Sequence, residues 1–313
     1  EPPVTIRDRL EVTDSGFQIA GDPQAASFKI LIIGGSAAFS MYTSNIKNTY
    51  ISQVNDYLVS QGIPCVTYVL AHGGWQSDQE IVGLIYYGLK IHPDIVIFID
   101  GLNDLVFGKQ FILDTLESKF KKKSFRVTIL EFLKNFRSTV SAYVGRLDKY
   151  SNTIKLIKFL KRHQLELAVK SNREGDNNIK RTRELDLEVK RYLFNMELAK
   201  KLAQNNKFKV VYALQPFIGL KNKLSVMEEE ILIAHAPTTK VYNLKPYKDA
   251  YEKMKEGLGG LSDGESAYFL DCSNALSNEE KTTYYDLYHF SDAGDNLLAD
   301  CYKEKLLHII RGY

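Results

Sequence analysis

Three side chains of this 313-residue chain could together perform acyl transfer: Ser36, Asp286 and His289. That chemistry needs a nucleophile, a base that takes its proton, and a carboxylate that orients the base. Asp286 and His289 are three residues apart, so both can face one point from a loop or a helical turn. Ser36 follows Gly34 and Gly35 at the end of an apolar run, where open α/β sheets expose functional residues. The pattern predicts Ser36 as nucleophile, His289 as base and Asp286 as orienting acid.

A structural explanation competes at Ser36, because serine commonly caps the amino end of a helix and a helix is expected to begin near Ala37. Two further carboxylates, Asp100 and Asp104, follow a later strand. Asp104 could cap the helix that follows it, and neither carboxylate is predicted to be catalytic.

Donors for a developing oxyanion are predicted in three segments. They are the backbone N–H groups of Ser36 and Gly74 and the side-chain amide of Asn103. Taken singly, the glycine indicates a tight turn and the asparagine a turn or cap residue. Their placement after successive strands favours the functional interpretation.

The elements that position these residues follow from apolar runs. Helical patterns of crossover length separate the first three runs, at residues 48–61 and 79–90, which predicts a parallel, doubly wound sheet with helices on both faces. Later helices are expected near residues 241–255 and 291–309. The five predicted strands are 29–33, 64–70, 94–100, 207–214 and 267–271.

The interval between the third and fourth strands is too long for one crossover. It predicts a helical insertion over about residues 106–182, with a polar break at 171–178 and a helix over 183–205 leading into the fourth strand. The glycine-rich stretch 257–264 follows a helix and precedes a strand, the reverse of the order in a phosphate-binding loop, and is predicted to be a connecting loop.

Four blocks in this order resemble the SGNH hydrolases, also called GDSL-type esterases and lipases. They are Gly34-Gly-Ser36, Gly74 within residues 72–77, Asn103 within 101–104, and Asp286-Leu-Tyr-His289. The resemblance implies a flavodoxin-like, three-layer α/β/α sandwich with a five-stranded parallel sheet. It also implies ester hydrolysis by the Ser36–His289–Asp286 triad without a metal or cofactor. The domain would span residues 28–313 and follow an N-terminal extension, residues 1–27.

The chain departs from the family pattern at four positions. Gly35 stands where the name-giving motif has aspartate, and Ser40 where glycine is frequent. His72 and Trp75 replace residues more usual in the second block, which bears on substrate preference more than on reaction type.

Charge and cysteine content restrict the partners and the compartment. The net charge of +3 is too small to argue for nucleic acid. Residues 109–170, however, contain fifteen Lys or Arg against five Asp or Glu. A solvated helix face accounts for that charge, and an anionic polymer or a membrane surface is the functional alternative.

Cys272 and Cys301 could form a disulfide, which the sequence leaves open. The first residue is Glu1, typical of a processed or truncated end, which favours an extracytoplasmic location (periplasmic, secreted or membrane-anchored).

Several functions fit these residues. The leading expectation is a deacetylase that removes O-acetyl or other short acyl groups from a bacterial surface glycan. A glycan O-acetyltransferase would use the same triad, with a sugar hydroxyl replacing water. A lipid esterase is a third option, and a catalytically silent glycan-binding module is a fourth. Metal catalysis has little support, because the six histidines are scattered and the cysteines lack metal-type spacing.

Overall fold

The centre of the molecule is a six-stranded sheet, seen in a computed structural model that describes residues 17–107, 174–235 and 244–312. Its spatial order is β1-β3-β2-β4-β5-β6. Strands β2 to β6 are parallel, and their order is the one found in flavodoxin-like folds. The strands are β1 (Gln18–Ala20), β2 (Phe28–Gly34), β3 (Cys65–Ala71), β4 (Ile95–Asp100), β5 (Lys209–Leu214) and β6 (Ala267–Phe269).

All five predicted strands form, and one further strand was not predicted. Strand β1 lies in the segment that the sequence treats as an N-terminal extension, and it pairs antiparallel with β3 at the edge of the sheet. The register places Gly34 of β2 beside Ala71 of β3 and Ile99 of β4. The carboxyl ends of these three strands therefore lie level, and the segments that follow them meet at one edge.

Helices cover both faces of the sheet, which confirms the predicted three-layer arrangement. Ile30 and Ile32 of β2 pack in one buried cluster with residues of α1 and α7. Leu31 points to the opposite face. There a Cβ atom on Gly88 would lie 2.6 Å from Leu31 Cδ2 and 3.0 Å from Leu84 Cδ1 of α2. The helices are α1 (Tyr50–Ser60), α2 (Ser77–Tyr86), α3 (Leu102–Phe107), α4 (Glu174–Asn206), α5 (Val226–His235), α6 (Leu244–Leu261) and α7 (Asp292–Arg311).

The chain divides into two compact units, residues 1–108 with 188–313, and residues 109–187. The first unit holds the sheet. Of the second, residues 174–187 are described and are helical. The helices predicted between residues 108 and 173, and the basic segment 109–170, lie outside the described residues.

Two sequence-based boundaries are wrong. The polar break predicted at 171–178 is helical from residue 174, because polarity alone does not end a helix. The loop predicted at 257–264 is helical to Leu261, as the last turn of α6. At Gly257 a Cβ atom would lie 2.3 Å from Leu193 Cδ1, so glycine here allows α6 to approach α4 closely.

Candidate active site

The three residues predicted to carry acyl transfer lie in one hydrogen-bonded row. The Ser36 hydroxyl is 2.6 Å from His289 Nε2, and His289 Nδ1 is 2.6 Å from Asp286 Oδ2. Ser36 begins a short 3₁₀ helix directly after β2, and Asp286 and His289 lie on the loop that precedes α7. A base between a hydroxyl and a carboxylate at these distances has the geometry required to activate the hydroxyl as a nucleophile.

Asp286 is held so that it orients the imidazole. Its Oδ1 accepts the backbone N–H groups of Tyr288 at 2.8 Å and His289 at 2.9 Å, which leaves Oδ2 for the ring. Burial alone would raise the pKa of Asp286, but the hydrogen bonds from the ring and the backbone hold this pKa below its usual range. An ionised carboxylate favours the tautomer with a proton on Nδ1. Nε2 is then free to accept the proton of Ser36.

The helix-cap explanation of Ser36 is wrong. The residue that precedes the 3₁₀ helix at the cap position is Gly35, and no side chain there forms a capping hydrogen bond. Ser36 is itself the first residue of that helix, and its hydroxyl is bonded to His289 instead.

The predicted oxyanion donors lie on segments that adjoin the nucleophile. Among the described residues, the backbone N–H groups of Ser36 and Gly74 have no hydrogen-bond acceptor. Gly74 has φ +79°, a left-handed conformation that suits glycine. The amide of Asn103 donates to Trp75 O at 2.8 Å, and a Cβ atom on Gly35 would lie 2.3 Å from Asn103 Nδ2. That amide therefore lies directly against residues 34–43, which we call the nucleophile segment, with one of its two protons engaged.

The other two carboxylates near the strand ends have structural partners. Asp100 accepts a hydrogen bond from the Tyr192 hydroxyl at 2.7 Å. Asp104 accepts from the Ser77 hydroxyl at 2.6 Å and from its backbone N–H, so it fixes the start of α2 and not the helix on which it lies. Burial raises the pKa of Asp104 to about 7, although nearby Arg191 opposes that rise.

A buried carboxylate on α7, which the sequence did not single out, anchors the nucleophile segment. Asp295 accepts hydrogen bonds from the hydroxyls of Ser40, at 3.1 Å, and Thr43. Ser40, at the position where the family often has glycine, has φ +51°. Burial raises the pKa of Asp295 to about 7, against the hydrogen bonds from the two hydroxyls.

The loop that carries Asp286 and His289 is anchored by a second unpredicted carboxylate, Glu228 of α5. One oxygen of Glu228 accepts the Thr283 N–H at 2.8 Å, its hydroxyl at 3.0 Å and the Tyr284 N–H at 3.2 Å. The other oxygen accepts Lys221 Nζ at 2.7 Å and the Ser225 N–H at 2.9 Å. The hydrogen bonds outweigh the effect of burial and lower the pKa of Glu228 below its usual range.

A row of two tyrosines that starts at His289 was also missed, and Tyr288 packs edge-on against the same imidazole with centroids 6.3 Å apart. The Tyr42 ring packs edge-on against the imidazole, with centroids 4.9 Å apart, and Tyr285 packs edge-on against Tyr42 at 6.4 Å. No sequence signal identifies them, because aromatic residues are common throughout the chain and these two are far apart in it.

The described residues contain no group of three or more side chains that could hold a metal ion. Within the same part of the chain, no helix has both the length and the apolar character needed to cross a membrane. Cys272 and Cys301 form a disulfide, and Cys65 is a buried free thiol.

Comparisons with known proteins give structural matches only. No family model and no curated protein matches the chain. Among solved structures, the acetyl xylan esterase AlAXEase is 11% identical with a TM-score of 0.47, covering 89% of this chain and all of that one. A mutant of Axe2, an acetyl-xylooligosaccharide esterase from Geobacillus, is 12% identical with a TM-score of 0.48, covering 90% and 95%. A GDSL-like lipase from Bacteroides thetaiotaomicron VPI-5482 is 10% identical with a TM-score of 0.44, covering 91% and 89%.

Proposed function

We propose that this protein is a serine ester hydrolase of the SGNH type. The observation that carries the proposal is the continuous row from Ser36 Oγ through His289 to Asp286, with 2.6 Å at each step, at the carboxyl edge of the sheet. A structural histidine needs one partner. This one links a serine and a partly buried, ionised carboxylate, which is the arrangement that acyl transfer requires.

The reaction follows from the positions of these atoms. Ser36 Oγ attacks the ester carbonyl while its proton passes to His289 Nε2, and the carbonyl oxygen becomes an oxyanion facing the N–H groups of Ser36 and Gly74 and the amide of Asn103. Collapse of the tetrahedral intermediate breaks the ester C–O bond, and His289 gives its proton to the leaving alcohol. Water then attacks the acyl-serine, with His289 as base, and releases the acid and free Ser36.

For the substrate, we propose an O-acetyl or other short acyl ester on a bacterial surface glycan. The basic segment 109–170 supports an anionic polymer as partner, because its excess of ten positive charges would attract one. A membrane surface is the alternative partner of that segment. An O-acetyltransferase would share every step up to the acyl-serine and differ only in the acceptor. The chemistry needs no cofactor.

For the location, we propose an extracytoplasmic compartment. The supporting observation is the disulfide between Cys272 and Cys301, because such bonds persist in oxidising environments and are rare in the reducing cytosol. Its reduction state in the native source would test this directly, by mass spectrometry after alkylation of free thiols. Fully alkylated Cys272 and Cys301 would contradict the proposal.

The decisive experiment compares the wild type with Ser36→Ala on p-nitrophenyl acetate, butyrate and octanoate, with folding matched by circular dichroism. We expect Ser36→Ala to lose about 10⁴-fold or more in kcat. Ser60→Ala is the matched control, because Ser60 is an exposed serine at the end of α1. A rate preference for acetate supports the deacetylase and a preference for octanoate the lipid esterase. A folded wild type that turns over no ester, or a Ser36→Ala variant that retains the wild-type rate, would contradict the proposed function.

Transfer is separated from hydrolysis in the same assay. Adding xylo-oligosaccharide or another neutral sugar acceptor to the p-nitrophenyl acetate reaction produces acetylated sugar if a hydroxyl resolves the acyl-enzyme. Mass spectrometry of the products measures that yield. Free acetate as the sole acetyl-containing product, beside the p-nitrophenol that both reactions release, supports the hydrolase.

A further inference from the structure

Two tyrosine rings stand in a row beside the candidate base. Tyr42 lies on the nucleophile segment, between Ser40 and Thr43, and packs edge-on against His289 with an interplanar angle of 88°. Tyr285 lies on the loop that carries Asp286 and His289 and packs edge-on against Tyr42 at 87°. Tyr285 keeps 46% of its surface exposed. A large aromatic ring that is half exposed next to a reactive group is available to contact a ligand.

The mechanism determines which half of the ester reaches these rings. His289 Nε2 must deliver a proton to the leaving oxygen, so that oxygen has to come within about 2.6–3.2 Å of Nε2. The alcohol half of the substrate therefore extends past the imidazole and the side chains packed around it. The proposed oxyanion donors Gly74 and Asn103 come from other segments, after β3 and β4, where they would face the carbonyl oxygen.

The chemistry of the row favours a sugar ring. Tyrosine combines a flat apolar face with a hydroxyl, which matches a pyranose, whose ring face presents C–H groups and whose rim presents hydroxyls. A long acyl or alkyl chain would instead require a continuous apolar trough. The Tyr42 hydroxyl remains uncharged at neutral pH, because burial and the nearby Asp286 carboxylate both raise its pKa.

We propose that Tyr42 and Tyr285 form the binding site for the sugar ring that leaves as the alcohol. This assignment rests on the proposed ester hydrolase function and specifies which residues recognise the substrate. Tyr285 contributes an exposed ring face, and Tyr42 links that face to the imidazole that protonates the departing oxygen.

The test compares two acetyl esters that differ only in the alcohol, mono-O-acetylated methyl glucopyranoside and ethyl acetate, using titration of released acid. In Tyr285→Ala the ratio of kcat/KM for the sugar ester to that for ethyl acetate is expected to fall about tenfold, mainly through KM. Tyr42→Phe, which keeps the ring, should change that ratio less than Tyr42→Ala. Tyr86→Ala is the matched control, because Tyr86 is a 63%-exposed tyrosine on α2, and it should leave both rates unchanged.

Several results would overturn the assignment. An unchanged ratio in Tyr285→Ala would do so, as would a wild type that hydrolyses ethyl acetate but not the sugar ester. If Tyr285→Ala loses activity on p-nitrophenyl octanoate and keeps its activity on the sugar ester, the tyrosines contact a lipid chain instead.

If the wild type hydrolyses neither of these two esters, activity on the p-nitrophenyl esters decides whether the hydrolase proposal stands, and a binding measurement tests the tyrosine site separately. Ser36→Ala would then be titrated with the same acetylated glucoside and followed by NMR. Weaker binding in the Ser36→Ala/Tyr285→Ala double variant supports the sugar site. Equal binding, or none in either variant, overturns it.

Discussion

Replacing Glu228 by glutamine is expected to destabilise the protein strongly, because this carboxylate holds the loop of the candidate acid and base from within the core. Glu228 is fully buried, and its partner Lys221 is 1% exposed. Glutamine keeps the shape of the side chain but replaces one of the two accepting oxygens with a donor. Whichever way the amide is turned, its N–H₂ faces either Lys221 and the Ser225 N–H or the donors of Thr283 and Tyr284.

The size of the effect follows from the groups left without a partner. Removing one member of a buried ion pair costs about 3–5 kcal/mol, because the remaining charge stays buried and uncompensated. Orphaned backbone donors add about 1 kcal/mol or more each. That sum is a large part of the roughly 5–15 kcal/mol that stabilises a typical domain.

Urea unfolding at pH 7, followed by far-UV circular dichroism, measures this cost. Glu280→Gln is the matched control, because Lys223 and Glu280 form an ion pair at the same 2.7 Å whose side chains are 57% and 75% exposed. We expect that control to change the free energy of unfolding by less than about 1 kcal/mol.

A double-mutant cycle identifies the contribution of the buried charge. Adding Lys221→Met to Glu228→Gln removes the uncompensated ammonium and should restore part of the lost stability. The reasoning is refuted if Glu228→Gln costs no more than Glu280→Gln, or if Lys221→Met makes the double variant less stable than Glu228→Gln alone.

Three further predictions concern other parts of the site. Reducing the disulfide, which joins residues 29 apart, should lower the free energy of unfolding by about 3–4 kcal/mol, and an unchanged urea midpoint in reductant would contradict this. Gly35→Ala should reduce kcat about 10²-fold, because the added Cβ would displace the amide of Asn103. Gly73→Ala is the control and should retain activity, because its added Cβ meets no atom within 4 Å. Equal rates in the two variants would count against the oxyanion assignment. Because the pKa of Asp295 is raised to about 7, ionising this carboxyl costs the folded state, so stability should fall as pH rises from about 4 to about 7. Asp295→Asn should flatten part of that decline in urea titrations between about pH 4 and pH 7, with Asp104 accounting for the rest, and an unaltered slope would refute the assignment.

The strands were predictable because burial on both faces produces continuous apolar runs. Their parallel order places the carboxyl ends at one edge, and the register that sets Gly34 beside Ala71 and Ile99 brings the segments of the candidate site together there. Strand β1 could not be predicted, because its three residues give no usable alternation. The helical turns at residue 174 and at residue 261 were missed because one is polar and the other glycine-rich, although each continues a longer helix.

The anchors of the site were beyond sequence reasoning for a different reason. Glu228 begins a run of three glutamates at the start of a helix, which is typical of a solvated surface. In the structure Glu229 and Glu230 are exposed, whereas Glu228 is buried under residues more than fifty positions later in the chain. Nothing in the run distinguishes the first glutamate from the other two, so its role depends entirely on tertiary contacts.

Three segments of the candidate site are secured in the same way: a buried carboxylate from another element accepts a hydrogen bond from a serine or threonine hydroxyl in that segment or directly after it. Asp295 holds the nucleophile segment, Asp104 holds Ser77 after the Gly74 loop, and Glu228 holds the loop of the base. Burial raises the pKa of the first two to about 7, whereas hydrogen bonding lowers that of Glu228. Between pH 5 and 8 two of the three anchors therefore change charge and the third does not. We therefore expect the pH dependence of the proposed reaction to contain the ionisation of these two anchors, which lie outside the triad, in addition to that of the triad itself.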